Sequence, residues 1–179
     1  MSFTKFMIMI LCLGLFYSNA AADSDDKSKK FGIALCYGED KSDIDIYRAG
    51  FQQDYGVEWF KRKNSYLSGF FELSYNHWKY DSDNIQGIAL SPVFAYYMQA
   101  AEEFFRPYIA GGIGVAYIDR YQIRDRNLGS NFQFEDRIGI GAIIGSFDIS
   151  LSYFHYSNAG IQFPNDGIDI WLCSGAFRF

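Results

Sequence analysis

His155, Ser157 and Asp169 stand close together near the C-terminal end of the chain. A serine hydroxyl is a weak nucleophile until a neighbouring base removes its proton. An imidazole does this best when a carboxylate holds it in the right tautomer and orientation. These three residue types therefore suit acyl transfer, the cleavage of an ester or amide through a covalent acyl intermediate. His77, beside Trp78, is the other histidine and has no ligand-spaced partner. The sequence accordingly predicts no metal site and no cofactor.

Side chains two and fourteen residues from His155 become chemistry only if the backbone turns them the same way. In a β-strand alternate side chains share a face. The segment FDISLSYFHYS alternates Phe147, Ile149, Leu151 and Tyr153 against Asp148, Ser150 and Ser152, and His155 and Ser157 continue the apolar set. In the next segment Trp171, Cys173, Phe177 and Phe179 share a parity, opposed by Ser174 and Arg178, and Asp169 belongs with the apolar side. The two strands are expected to bring imidazole, hydroxyl and carboxylate to one outer face.

The same alternation runs through the rest of the chain. Strands are expected over Lys30 to Tyr37, Asp45 to Trp59, Ser68 to Trp78, Asn84 to Met98, Pro107 to Tyr121, Phe132 to Ile144, Phe147 to Ser157 and Ile168 to Phe179. Glu135 and Arg137 fall on the inward parity of theirs, where opposite charges can pair in a polar lumen. Pro92 makes Asn84 to Met98 the weakest strand, because proline forfeits a ladder hydrogen bond. Eight alternating segments are the number of a small transmembrane barrel, apolar outside and polar or small inside. The terminal Phe179 is the usual ending of such barrels.

The N-terminal end supplies the route to a membrane. Residues 1–22 place Lys5 before an apolar run from Phe6 to Phe16 and small residues at Ala20, Ala21 and Ala22, the layout of a cleavable signal peptide. Cleavage is expected after Ala22, leaving residues 23–179 as one domain headed by the polar stretch DSDDKSKK. A net charge of -5 offers no basic surface for nucleic acid. Beyond the leader no apolar run reaches the roughly 20 residues of a spanning helix. The fold predicted is thus all-β, an eight-stranded antiparallel transmembrane β-barrel of the bacterial outer membrane, with both ends in the periplasm. Cys36 and Cys173 fall on opposite faces, which argues against a disulfide between them.

An ionisable group on the lipid face of a barrel is costly and points to function. The same residues would also sit cheaply at a headgroup boundary, and spacing alone leaves both readings open. Residues 155–169, HYSNAGIQFPNDGID, resemble the signature of the lipid A 3-O-deacylase (PagL) family. A looser likeness runs from about Pro107 through FQFEDRIGIG to Phe179. The resemblance implies a serine esterase that removes the 3-position acyl chain of lipid A, the anchor of lipopolysaccharide, in the outer leaflet. It makes Ser157 the nucleophile, His155 its general base and later acid, and Asp169 the orienting carboxylate, where the best-known members carry Glu. It also suggests Asn158, the backbone N–H of Gly160 and Asn165 as donors to the developing oxyanion. Gly160, Gly167 and Pro164 equally suit a tight turn. Homodimer formation stays open. Two other functions fit an eight-stranded barrel: a non-enzymatic adhesin or membrane stabiliser, and a lipid A palmitoyltransferase that holds its acyl chain inside.

Overall fold

The structure, a computed structural model, describes residues 30–98 and 104–179. The expected signal peptide, its cleavage point and the polar stretch up to residue 29 lie outside the described residues. The described elements are β1 (Phe31–Asp40), β2 (Asp45–Asp54), β3 (Trp59–Arg62), β4 (Ser65–Tyr80), β5 (Asp83–Met98), β6 (Phe105–Ile118), β7 (Gln122–Ile123), β8 (Arg126–Asn127), β9 (Phe132–Ile144), β10 (Phe147–Ser157) and β11 (Ile168–Arg178). Neighbouring barrel strands run antiparallel in the order β2, β1, β11, β10, β9, β6, β5, β4, and β4 returns to β2. That last pairing, Asp45 to Asp54 against Lys79 to Phe70, closes the barrel.

The faces follow the expected parity. Ile109, Ile113, Ile138 and Ile140 are each more than half exposed on the outer wall, while Ala116, Gln133 and Glu135 opposite them are buried. A continuous wall of exposed apolar side chains needs lipid beside it. Cys36 faces in and Cys173 faces out, and both thiols are free.

Two strands differ from expectation. The strand expected from Asp45 to Trp59 ends at Asp54. Gly56, in the left-handed region at φ +68°, then turns the chain into the short β3, which runs beside the start of β4. The strand carrying Pro92 is firm rather than weak, a sixteen-residue element. Its pairing with β4 is unbroken, whereas pairing with β6 lapses at Ser91 and Pro92. The hydrogen bond that proline cannot donate is thereby confined to one local gap in the ladder.

The interior is layered. At mid-height Arg48 reaches across the lumen: its guanidinium donates to Glu72 at 2.7 Å and to Glu135 at 2.7 and 2.9 Å. Tyr156 donates to Glu135 at 2.6 Å, Ser91 to Glu135 at 2.6 Å, and Arg137 to Glu72 at 3.1 Å. Glu135 and Arg137 thus both face inward as expected, and each takes its partner from another strand. Toward the loop end the lumen is apolar rather than polar. Trp78, Phe154, Ile168 and Ile170 pack there against Ile123 and Leu128, which the β7–β8 segment folds down into the mouth. At the other end Tyr66, Tyr97 and Tyr108 close the barrel, with Arg178 paired to Asp54.

Removing one partner from a buried ion pair leaves an uncompensated charge, at a cost of about 3–5 kcal/mol. Glu135→Ala is expected to destabilise the barrel by that order. Urea titration of the refolded protein in lipid vesicles, followed by its heat-modifiable gel migration, measures the loss.

Candidate active site

On β10 the buried side chains are Asp148, Phe154 and Tyr156, while Ile149, Leu151, Tyr153, His155 and Ser157 take the other parity and face out. The inward anchors fix that parity. Tyr156, held on Arg48 and Glu135, sits between His155 and Ser157 in sequence, so those two must point to the membrane side. Asp169 lies directly across the ladder from His155, on the outer face of β11.

The pair is closed. Nδ1 of His155 lies 2.7 Å from Oδ1 of Asp169, and the Tyr153 hydroxyl donates to the same oxygen at 2.7 Å. An ionised carboxylate has no proton to give, so Nδ1 carries the hydrogen, and in the neutral ring the lone pair is then on Nε2. Both side chains stay a little over one-third exposed, open to a substrate from the side. Ser157 lies two residues further on the same face, its Cα roughly 6.6 Å from that of His155. No hydrogen bond joins Ser157 to His155; its hydroxyl has no partner among the described residues.

The loop after Ser157 is held from outside the hairpin. Asn158 is fully buried, and its side-chain amide donates to the carbonyls of Leu128 at 2.9 Å and Gln162 at 2.7 Å. Its Oδ1 accepts from the Gly160 N–H at 2.9 Å. The backbone N–H of Asn158 donates to Oδ1 of Asn165, whose own amide hydrogens have no partner among the described residues. Asp166 and Asn127 exchange two hydrogen bonds, and Arg126 donates to the carbonyl of Gly167. Of the three expected oxyanion donors, Asn158 and Gly160 therefore have their hydrogens committed, to Leu128 and Gln162 and to Asn158 respectively. Asn165 keeps donors to offer.

Gly167 leaves room for the imidazole. A Cβ there would lie 3.0 Å from Cε1 and 3.6 Å from Nε2 of His155, and its φ of +61° already favours glycine. The turn reading of this glycine holds, and leaving room for the ring is a further role that spacing does not reveal. Tyr153 was legible only as an apolar wall residue; its hydroxyl on Asp169 could be suspected from its place two residues before His155 on the same face.

Beside the pair the outer wall is hollowed into a mainly apolar groove of about 600 Å³. It runs from His155 and Tyr153 past Asp136 and Ile138 to Gly111 and Phe94. Gly111 contributes no side chain between the outward Ile109 and Ile113, and the lapse at Pro92 adjoins it, so the hollow follows from those two residues. Asp136 lies across the ladder from His155 on the side opposite Asp169. Sequence reasoning passed over it, although its even position in β9 places it with Phe134 and Ile138 on the lipid face.

Residues 45–177 match the family described as lipid A 3-O-deacylase (PagL). The chain is 35% identical over 126 residues to a protein of Pseudomonas aeruginosa named lipid A deacylase PagL, spanning 69% of this chain and 72% of that one. It is 35% identical over 113 residues to a protein of the same name from Bordetella bronchiseptica, covering 60% of this chain and 61% of that one. Among solved structures it resembles that of the outer membrane enzyme PagL, with a TM-score of 0.77 and 30% identity over 83% of this chain and 99% of that one.

If the imidazole must stay where Gly167 lets it lie, Gly167→Ala displaces it, and misplacing a reacting group by an ångström can cost about a hundredfold. Labelling of Ser157 by a fluorophosphonate is expected to slow by at least about tenfold in Gly167→Ala. Tyr153→Phe, which removes one of two hydrogen bonds to a charged oxygen, is expected to slow it about tenfold as well. Both variants should keep the barrel's heat-modifiable migration.

Proposed function

Because the chain belongs to the lipid A 3-O-deacylase (PagL) family and forms an outer-membrane barrel, we propose that it is a serine esterase hydrolysing the acyl ester at the 3-position of lipid A. The observation that carries the reading is the His155–Asp169 pair on the outer wall, with Ser157 on the same face and a groove leading away from it.

Nε2 of His155 takes the proton from the Ser157 hydroxyl as Oγ attacks the ester carbonyl. The C=O becomes an oxyanion, for which Asn165 is the candidate on the loop whose amide hydrogens are unspent. Collapse of the tetrahedral species breaks the bond to the sugar oxygen, which leaves with the proton from Nε2, and the chain stays on Ser157 as an ester. Water then attacks with the same imidazole as base, releasing the fatty acid and restoring the hydroxyl. Asp169 stabilises the imidazolium at each stage and holds the ring, a role to which the shorter carboxylate is equal, since its oxygen is already 2.7 Å from Nδ1. The open bond between Ser157 and His155 fits this account, because catalytic hydrogen bonds often tighten only once substrate is bound.

The groove suits the acyl chain. Phe94, Gly111, Ile113, Ile138 and Tyr153 in its lining are of the outward parity, so an acyl chain can reach it from the bilayer side. The packed mouth of the barrel speaks against the palmitoyltransferase alternative, which needs interior room for a chain. The hydrogen-bonded outer pair speaks against a purely structural barrel.

Lipid A extracted from cells expressing the chain is expected to lose the mass of one acyl group, as read by mass spectrometry. Ser157→Ala and His155→Asn are expected to leave it unchanged. Unaltered lipid A from the wild type, or equal loss with Ser157→Ala, overturns the proposal.

A further inference from the structure

Neither closure of the barrel nor the candidate site accounts for the short β3. It adds four residues beside the start of β4, after the chain has already completed β2. Residues 56–64, which contain it, are all exposed. Phe60 is 78% exposed and held in the left-handed region at φ +50°, a costly conformation for a bulky side chain. An aromatic ring displayed at that cost points to something that covers it.

Where the hairpin rests says what that is. Tyr55 packs on Phe71 and Phe94 at ring-centroid distances of 4.9 and 5.4 Å, and Trp59 packs on Tyr55 and Phe94 at 5.8 and 6.2 Å. Phe71 and Phe94 belong to the exposed apolar wall. A Cβ at Gly69 would lie 2.7 Å from the Tyr55 ring, so the glycine is what lets the segment lie flat against the sheet. The hairpin is therefore seated on the lipid side of the barrel. It stands at the end where β1 begins, since the Asp54 amide donates to the carbonyl of Lys30. The candidate pair stands toward the other end, so the hairpin meets the opposite leaflet.

Its charges choose among lipids. Lys61, Arg62 and Lys63 follow Phe60 without a break, and Glu58 pairs with Lys61. That leaves a surplus of two positive charges on one hairpin of a chain whose net charge is -5. Asp54, close by in sequence, is paired with Arg178. An exposed ring beside a short cationic run suits the boundary of a bilayer, where the ring enters the acyl region and the cations stay among phosphates.

We propose that the β3 hairpin binds anionic phospholipid headgroups of the leaflet opposite the candidate site. Phe60 enters the acyl boundary, and Lys61, Arg62 and Lys63 meet the phosphates. The hairpin thereby gathers acidic lipids around one end of the barrel, a function separate from the esterase reading and independent of it.

The test uses the full chain carrying Trp171→Phe, folded into phosphatidylcholine vesicles that hold a minor share of phosphatidylglycerol. Trp78 is shut inside the barrel, so Trp59 is then the tryptophan that lipid can reach. Its fluorescence is quenched by brominated acyl chains, carried in one sample on phosphatidylglycerol and in another, at the same mole fraction, on phosphatidylcholine. Brominated phosphatidylglycerol is expected to quench more strongly, by an amount that corresponds to a local preference of about fivefold. That preference is expected to vanish in about 1 M salt, where screening acts within about 3 Å. The combined variant Lys61→Gln, Arg62→Gln and Lys63→Gln is expected to lose it at low salt while Trp59 stays within reach of both lipids. Equal quenching by the two lipids at low salt overturns the proposal, as does a preference that survives high salt or the loss of the three cations. Weak quenching by both, as a second copy of the chain seated on the hairpin would give, overturns it as well. Heat-modifiable migration shows whether the combined variant has folded, and the salt series decides the matter without it.

Discussion

The guanidinium of Arg48 crosses the middle of this barrel. Arg48 from β2 meets Glu72 and Asn76 from β4, Glu135 from β9 and Tyr156 from β10, so four strands on different sides of the lumen share one charge. Desolvating those groups is expensive, and the expense is recovered only when every partner is in place. That makes register strict, because a slip of one residue would turn the entire set toward lipid and the apolar wall toward the lumen. Tyr156 carries the constraint to the outer face. With its hydroxyl bound inside, the residues on either side of it have no choice of direction.

The two ends of the barrel complete this arrangement from above and below. At one end the folded-down β7–β8 segment fills the mouth with Ile123 and Leu128 and, from the same segment, clamps the loop that follows Ser157. The carbonyl of Leu128 accepts from buried Asn158, and Gly129 is so close to Pro164 that a Cβ would lie 2.1 Å from its carbonyl oxygen. The sealing of the lumen and the positioning of the candidate site are therefore one construction. A barrel filled in this way has its useful surface on the outside.

Much of this was legible in the residues. Period-two alternation gave the strands, the inward direction of Glu135 and Arg137, and the outward direction of His155, Ser157 and Asp169, because parity is local information. Pro92 was misjudged since a one-dimensional rule penalises the lost hydrogen bond without knowing that the ladder lapses on just that side. The apolar upper lumen was missed because Ile123 and Leu128 belong to a connecting segment whose destination depends on the whole closed sheet. The committed state of the Asn158 amide was hidden for the same reason, as one of its two acceptors, the carbonyl of Leu128, lies in a different loop. Asp136 was in plain view by parity, and reading only the apolar members of β9 passed over it.

The sideways groove has a consequence for what concentration means to this protein. A ligand that enters through the wall never leaves its leaflet, so encounter is a search in two dimensions and saturation is set by the mole fraction of glycolipid around the barrel. Diluting the surrounding lipid starves such a site even when the amount of substrate per volume is unchanged. Neighbouring bilayer lipids, whose tails also fit a mainly apolar hollow, then become its natural competitors.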